Sequence, residues 1–197
     1  MLHMRLADLS GPFFNPHKPF RNWSSLPFPQ LDLPEAPYVD EAQLHWGVER
    51  AIAHLHALRR QGYTGVVVDN LAHLVTLEAA GIPTGGPTYA RALIYRRAFT
   101  RLFAAAAALG LDVFVTSDMQ WSTPELRHAA GSLRADNPRL AELNRLALEE
   151  LFDAFPQVRG IVVRVGEAGG EHNQGAAYTG HMIYTTPAAL RNLITNL

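Results

Sequence analysis

The residues best suited by type and spacing to do chemistry are Arg164 and Glu167, which close the run Ile161-Val162-Val163-Arg164-Val165-Gly166-Glu167. An arginine among β-branched residues is costly to bury unless an anion neutralises it. The glycine then frees the backbone, and a carboxylate stands where the strand should stop. Glu167 there suits a general acid or base or a ligand-orienting carboxylate, its pKa set by Arg164 or Asp118 and by the apolar strand end. An internal Arg164–Glu167 ion pair kept for structure alone is the plain alternative. Asp118 closes an earlier apolar run, Val113-Phe114-Val115-Thr116-Ser117-Asp118, and Trp121 follows it closely. A carboxylate beside an indole suits a sugar, since the acid accepts hydroxyl hydrogens while the ring stacks on the apolar sugar face. The alternative is that Asp118 opens a turn and Trp121 packs inward.

A third apolar run ends in Asp69-Asn70, with His73 three positions on. Asp69 and Asn70 are candidate substrate contacts or simply caps of a short helix. His73, among Leu71, Leu74 and Leu77, is either a ligand-facing or a core histidine. The loop Ala168-Gly169-Gly170-Glu171-His172-Asn173-Gln174-Gly175 is polar and glycine-rich, so His172 and Asn173 suit hydroxyl recognition, with Tyr178 just beyond. No Lys-Ser/Thr follows its glycines, so it is not a phosphate loop. Nine histidines invite a metal. However, His54 and His56 project from different helix faces, and His172 and His181 lack a third ligand at a recognised interval. Neither a metal nor a cofactor is expected. A nucleophile elbow and a dinucleotide fingerprint are both missing.

These residues need a scaffold that gathers strand ends. A helix is expected from about Glu41 to Gln61, where Leu44, Val48, Ile52, Leu55 and Leu58 share a face and Gly62 supplies the stop. The strand Tyr63–Asn70 follows, then a helix from about Tyr89 to Leu109, then the strand Asp112–Asp118. Thr123-Pro124 and Asn137-Pro138 each open a helix, the second running to Phe155. Gly160–Val165 reads as a parallel strand covered on both faces. Thr186-Pro187 opens a last helix reaching Leu197. Strand and helix alternate, and each strand ends in polar groups, as in a parallel sheet with right-handed crossovers. Ligands sit at the carboxyl ends of such strands. Gly11–Pro37, dense in proline and aromatics, is expected to form neither helix nor central strand and to pack on the body. Residues 1–40 are therefore read as an amino-terminal segment, and 41–197 as the α/β domain.

Whole-chain numbers narrow the field. The 197 residues, 48% hydrophobic and 18% charged, suit one globular core. A formal net charge of −1 supplies no basic field for nucleic acid or anionic lipid. The absence of cysteine excludes disulfides and thiol nucleophiles. Without a signal-peptide core or a membrane-length apolar run, a cytoplasmic protein is expected. Three or four strands leave either a small open sheet or the leading part of a closed barrel, the second being preferred. An open edge would favour self-association.

Phe13-Phe14-Asn15-Pro16, Arg21-Asn22-Trp23-Ser24, Val67-Val68-Asp69-Asn70-Leu71-Ala72-His73-Leu74, Val113 to Met119 and Arg164 to Gly169 together resemble bacterial glycosidase-like TIM-barrel proteins. Their nearest characterised neighbours are α-glucuronidases and β-hexosaminidase-type glycoside hydrolases. The resemblance implies a partial (β/α) barrel that binds or cleaves carbohydrate. In many such hydrolases the acid/base glutamate follows the fourth barrel strand. Gly160–Val165 would be that strand if another preceded Thr64. Glu167 would then be the proton donor, Arg164 its orienting partner and Asp118 a substrate contact or second carboxylate. Later strands, which supply the second carboxylate in many of these enzymes, are not in this sequence. A non-catalytic, carbohydrate-binding half-barrel that needs a partner is the rival. A phosphosugar isomerase or aldolase would want a phosphate loop and a lysine, and Lys18 is the only lysine.

Overall fold

The computed structural model describes residues 4–17, 28–69, 71–117, 120–121, 123–134, 136–163, 179–180 and 187–195. In chain order the elements are β1 (Leu6–Asp8), a 3-10 turn (Gly11–Phe13), α1 (Phe28–Leu31), α2 (Glu41–Arg60) and β2 (Gly65–Val68). Two further 3-10 turns, Leu71–His73 and Glu78–Ala80, lead to α3 (Pro87–Ala108), β3 (Asp112–Thr116) and β4 (Gln120–Trp121). Then come α4 (Pro124–Ala130), α5 (Pro138–Ala154), β5 (Val158–Val162), β6 (Thr179–Gly180) and α6 (Pro187–Thr195).

Four strands form one parallel sheet in the order β1-β2-β3-β5. Each strand thus lies beside the one before it in the sheet, with no reversal of winding. β4 and β6 form a separate antiparallel ribbon, pairing Gln120 with Gly180 and Trp121 with Thr179. The α/β class and parallel sheet agree with the sequence reading. β1 does not follow from it, because three residues are too few to show a period. Its place is fixed by side-chain and backbone bonds at its start: Arg5 N–H donates to Thr64 Oγ1 at 2.8 Å, and Thr64 N–H to the Arg5 carbonyl at 2.9 Å.

The pleat sorts the strand residues into two sets. Val66, Val68, Val113, Val115 and Val158 are buried in one core with Leu55, Leu102, Phe103 and Leu151 from the helices. The opposite face holds Val67, Phe114, Gly160 and Val162, all only half-buried. A register shift between the Val113 and Phe114 pairings puts Val158 and Gly160 on opposite faces although they are two positions apart. β5 therefore differs from the doubly covered strand expected of it. Buried at Val158, it is half-exposed from Gly160 to Val163, because it is an end strand of the sheet with no neighbour on its outer side among the described residues. Gly65 marks the tightest approach: a Cβ there would lie 2.7 Å from the Asp112 carbonyl oxygen and 2.8 Å from Leu6 Cδ2.

The helices follow local rules. Asp40 caps α2 by accepting the Gln43 N–H at 2.9 Å, and Gly62 ends it at φ +80°. Thr123 and Asn137 cap α4 and α5, accepting from Leu126 N–H at 3.1 Å and Arg139 N–H at 3.0 Å. α3 begins at Pro87, two residues before the expected start, because a first-turn proline loses no helical hydrogen bond.

Aromatic rings tie the layers together. Phe13 stacks on Phe99 at 5.7 Å, Phe99 meets Phe103 edge-on, and Phe103 meets Phe155 at 5.0 Å. Phe13 fits because α2 carries Gly47 beneath it, where a Cβ would sit 2.5 Å from its ring. α1 lies inside the proline-rich stretch where no helix is expected, Pro29 falling in its first turn. Leu31 and Val39 are buried against the body, and the Tyr95 hydroxyl donates to Asp32 at 2.6 Å. Arg91 donates to the carbonyls of Leu33 and Tyr38. Across the molecule, Glu150 on α5 accepts from Thr76 N–H, Thr76 Oγ1 and Leu77 N–H at 2.5–2.8 Å and pairs with Arg96. That knot fastens the loop after β2 to α3 and α5. Among the described residues, no helix is long and apolar enough to cross a membrane.

Candidate functional site

The carboxyl ends of the parallel strands converge in a polar cluster built from residues of one parity. Asp8 ends β1, Asp69 directly follows β2, and Thr116 ends β3. The registers Asp8↔Val67, Val67↔Phe114 and Thr116↔Val162 put all three on the sheet face carrying Val67 and Phe114. Asp69 is 4% exposed, and its Oδ1 accepts from Thr116 Oγ1 at 2.9 Å. A carboxylate this buried is tolerated only when hydrogen bonds replace its lost water. Ser10 bridges to the neighbouring tip: its hydroxyl donates to Asp8 at 2.5 Å and lies 3.4 Å from Asp69 Oδ2. Its backbone N–H also donates to Asp8, at 2.7 Å. Three consecutive strand ends are thereby joined through side chains. Ser117, fully buried, donates its N–H to the Val162 carbonyl at 3.1 Å, which extends the link to the fourth strand.

Hydroxyls and carboxylates set at these spacings can hold a ligand's hydroxyl groups, exchange protons with them, or lock the rim itself. Asp136 is held below the usual aspartate range by the Arg134 guanidinium, which donates to both its oxygens at 3.0 Å. It lies in the turn between α4 and α5, not at the strand ends. No group of three or more histidines and carboxylates among the described residues could hold a metal.

Of the residues singled out from sequence, Asp69 belongs to this cluster. His73 is buried on the 3-10 turn after β2, its ring edge-on to Tyr95 at 5.4 Å. It stands in the core four residues past the Asp69 carboxylate. Trp121 pairs through its backbone with Thr179. This brings the chain after β3 beside the chain after the glycine-rich loop, so two candidate segments share one ribbon. Asn70, Asp118, Arg164, Glu167, His172, Asn173 and Tyr178 lie outside the described residues. Sequence reading missed Asp8, Ser10 and Thr116. A recoverable signal existed for the last: Thr116 has the same strand parity as Phe114, one position inside the polar end.

No protein-family model, curated protein or solved structure matches this chain.

Proposed function

We propose that the protein is a carbohydrate-active (β/α)-barrel protein of glycoside-hydrolase type, with its site at the carboxyl rim of the parallel sheet. The observation that carries this reading is the strand order. β1 precedes β2, so β5 is the fourth parallel strand of the sheet, and Glu167 follows its last residue by five positions. That is the condition under which the resemblance makes this glutamate the acid/base. Consecutive strands laid side by side without reversal are the winding of a (β/α) barrel, whereas doubly wound sheets reverse direction near their middle. The half-buried face carrying Val67, Phe114 and Val162 then corresponds to a barrel interior, with Asp8, Asp69 and Thr116 at its mouth.

In this reading Glu167 donates the proton to the departing glycosidic oxygen and Arg164 orients it. Asp118 serves as substrate contact or second carboxylate, on the requirement that two carboxyl groups flank the bond. Asp69, Asn70, Trp121, His172, Asn173 and Tyr178 contribute to substrate binding, while His73 supports them from the core. Hydrolysis of a panel of aryl-glycosides by wild type and Glu167→Gln tests the proposal. Release of the phenol by wild type, with at least a hundredfold loss in Glu167→Gln, is expected, in keeping with the roughly 10²–10⁴-fold worth of general acid catalysis. Equal rates would remove Glu167 from the chemistry.

A second reading, a non-catalytic carbohydrate-binding half-barrel, draws on one observation: β1 and β5 are both end strands of the described sheet. Sugar binding without hydrolysis by either protein would favour it.

A further inference from the structure

Beside the rim, the loop after β1 and the amino end of α2 enclose a groove of about 710 Å³, a size suited to a small ligand. β1 and β2 are parallel and α2 lies between them in the chain, so α2 runs back against the strands. Its amino end therefore lies on the carboxyl side of the sheet. Gly11 lines the groove, and the residue before it, Ser10, bonds Asp8 at the strand ends.

A chain of amides inside the groove leaves one donor unspent. His17 N–H donates to Asn15 Oδ1 at 2.9 Å, which turns the Asn15 NH₂ the other way, toward Gln43 Oε1 at 3.4 Å. That fixes the Gln43 amide with its Nε2 away from Asn15. Gln43 is 9% exposed, and its Nε2 is buried with no hydrogen-bond partner among the described residues. Native proteins rarely leave such a donor unmatched, so a site that does so points to an acceptor that arrives from outside. Two further lining groups say what kind. Trp46 is 44% exposed although the Arg50 guanidinium lies 4.2 Å over its ring, which offers a stiffened indole to solvent. Asp40 places a carboxylate in the same lining.

We propose that this groove is a subsite for a neutral pyranose. One sugar hydroxyl accepts from Gln43 Nε2, a neighbouring hydroxyl donates to Asp40, and the apolar ring face covers Trp46. Asp40 and Arg50 both line the groove, so their charges offset one another and favour a ligand without net charge. The proposal rests on the carbohydrate reading above for its ligand class and adds a site outside the strand ends.

The test titrates the whole protein with methyl glycosides of glucose, galactose, mannose and xylose. Binding is followed by calorimetry and by the Trp46 indole N–H resonance, assigned with Trp46→Phe. At least one glycoside should shift that resonance, and Gln43→Leu should weaken its binding about tenfold, the worth of one hydrogen bond to a ligand. Gln43→Met, which keeps the side-chain length and removes the donor, should do the same and serves if Gln43→Leu does not fold. No shift with any of the four sugars, or wild-type affinity in a folded Gln43 variant, overturns the subsite. Equal hydrolysis by Glu167→Gln would instead remove the rim chemistry and leave the result at Trp46 standing, so the two failures are distinct.

Discussion

Thr116 and Asp69 lie 47 positions apart in sequence, yet a hydroxyl and a carboxylate meet at 2.9 Å inside the protein. Thr116→Val keeps the shape and removes the donor, so a buried carboxylate oxygen loses a partner. The expected cost is about 2 kcal/mol in urea unfolding, with an unchanged denaturant slope. A loss too small to measure would mean that Asp69 does not depend on this bond. Asp136 offers a second test, in solvent. Hydrogen bonds from Arg134 lower its folded pKa, so its contribution to stability is full above the ordinary aspartate pKa. It disappears as pH falls through the lowered folded value. A carboxyl carbon titration by NMR should place its midpoint below the ordinary aspartate value, and Arg134→Gln should restore it. At this scale the sequence was only half legible. Asp69 was visible as the polar end of an apolar run. The hydroxyls that hold it were not, because pairing between strands depends on register, which no local pattern records.

Glycine and glutamate decide two element-level junctions. Gly65→Ala would drive a methyl into the end of the Leu6 side chain and into the Asp112 backbone carbonyl, which cannot retreat without parting strands. A loss of about 3 kcal/mol is expected in thermal or chemical unfolding. Glu150→Ala would cut α5 from the loop after β2 and strand the Arg96 guanidinium, at a similar cost of about 3 kcal/mol. Glu150→Gln should lose less, since a neutral amide oxygen can still accept from Thr76 and Leu77. Calorimetric melting of both variants ranks them, and equal melting temperatures would deny the knot its role. The helices were legible to within a few residues because apolar spacing, caps and prolines are written locally, as at Thr123-Pro124 and Asn137-Pro138. The short strands β4 and β6 were hidden, and so were two further elements. β1 is too short to show alternation, and α1 sits among prolines whose restriction matters less in a first turn. β5 was misjudged in cover, not in kind: an edge strand carries the same β-branched composition as a central one.

At the scale of the molecule, the sheet formed by the described residues has two ends and one half-buried apolar face. A closed sheet would offer neither, so multi-angle light scattering distinguishes the two proposed readings. A half-barrel should show a mass above that of one chain, rising with concentration. A constant monomer mass would count against it. The sidedness of the rim has a further consequence. Asp8, Asp69 and Thr116 share a face because each stands an even number of positions from its inward neighbours along the strand. Inserting a single residue into β2 or β3 would swing the tip beyond it to the helical side and dismantle the cluster without touching any member. A two-residue insertion would lengthen the strand and leave every tip facing as before. For this rim, counting modulo two matters more than the length of its strands.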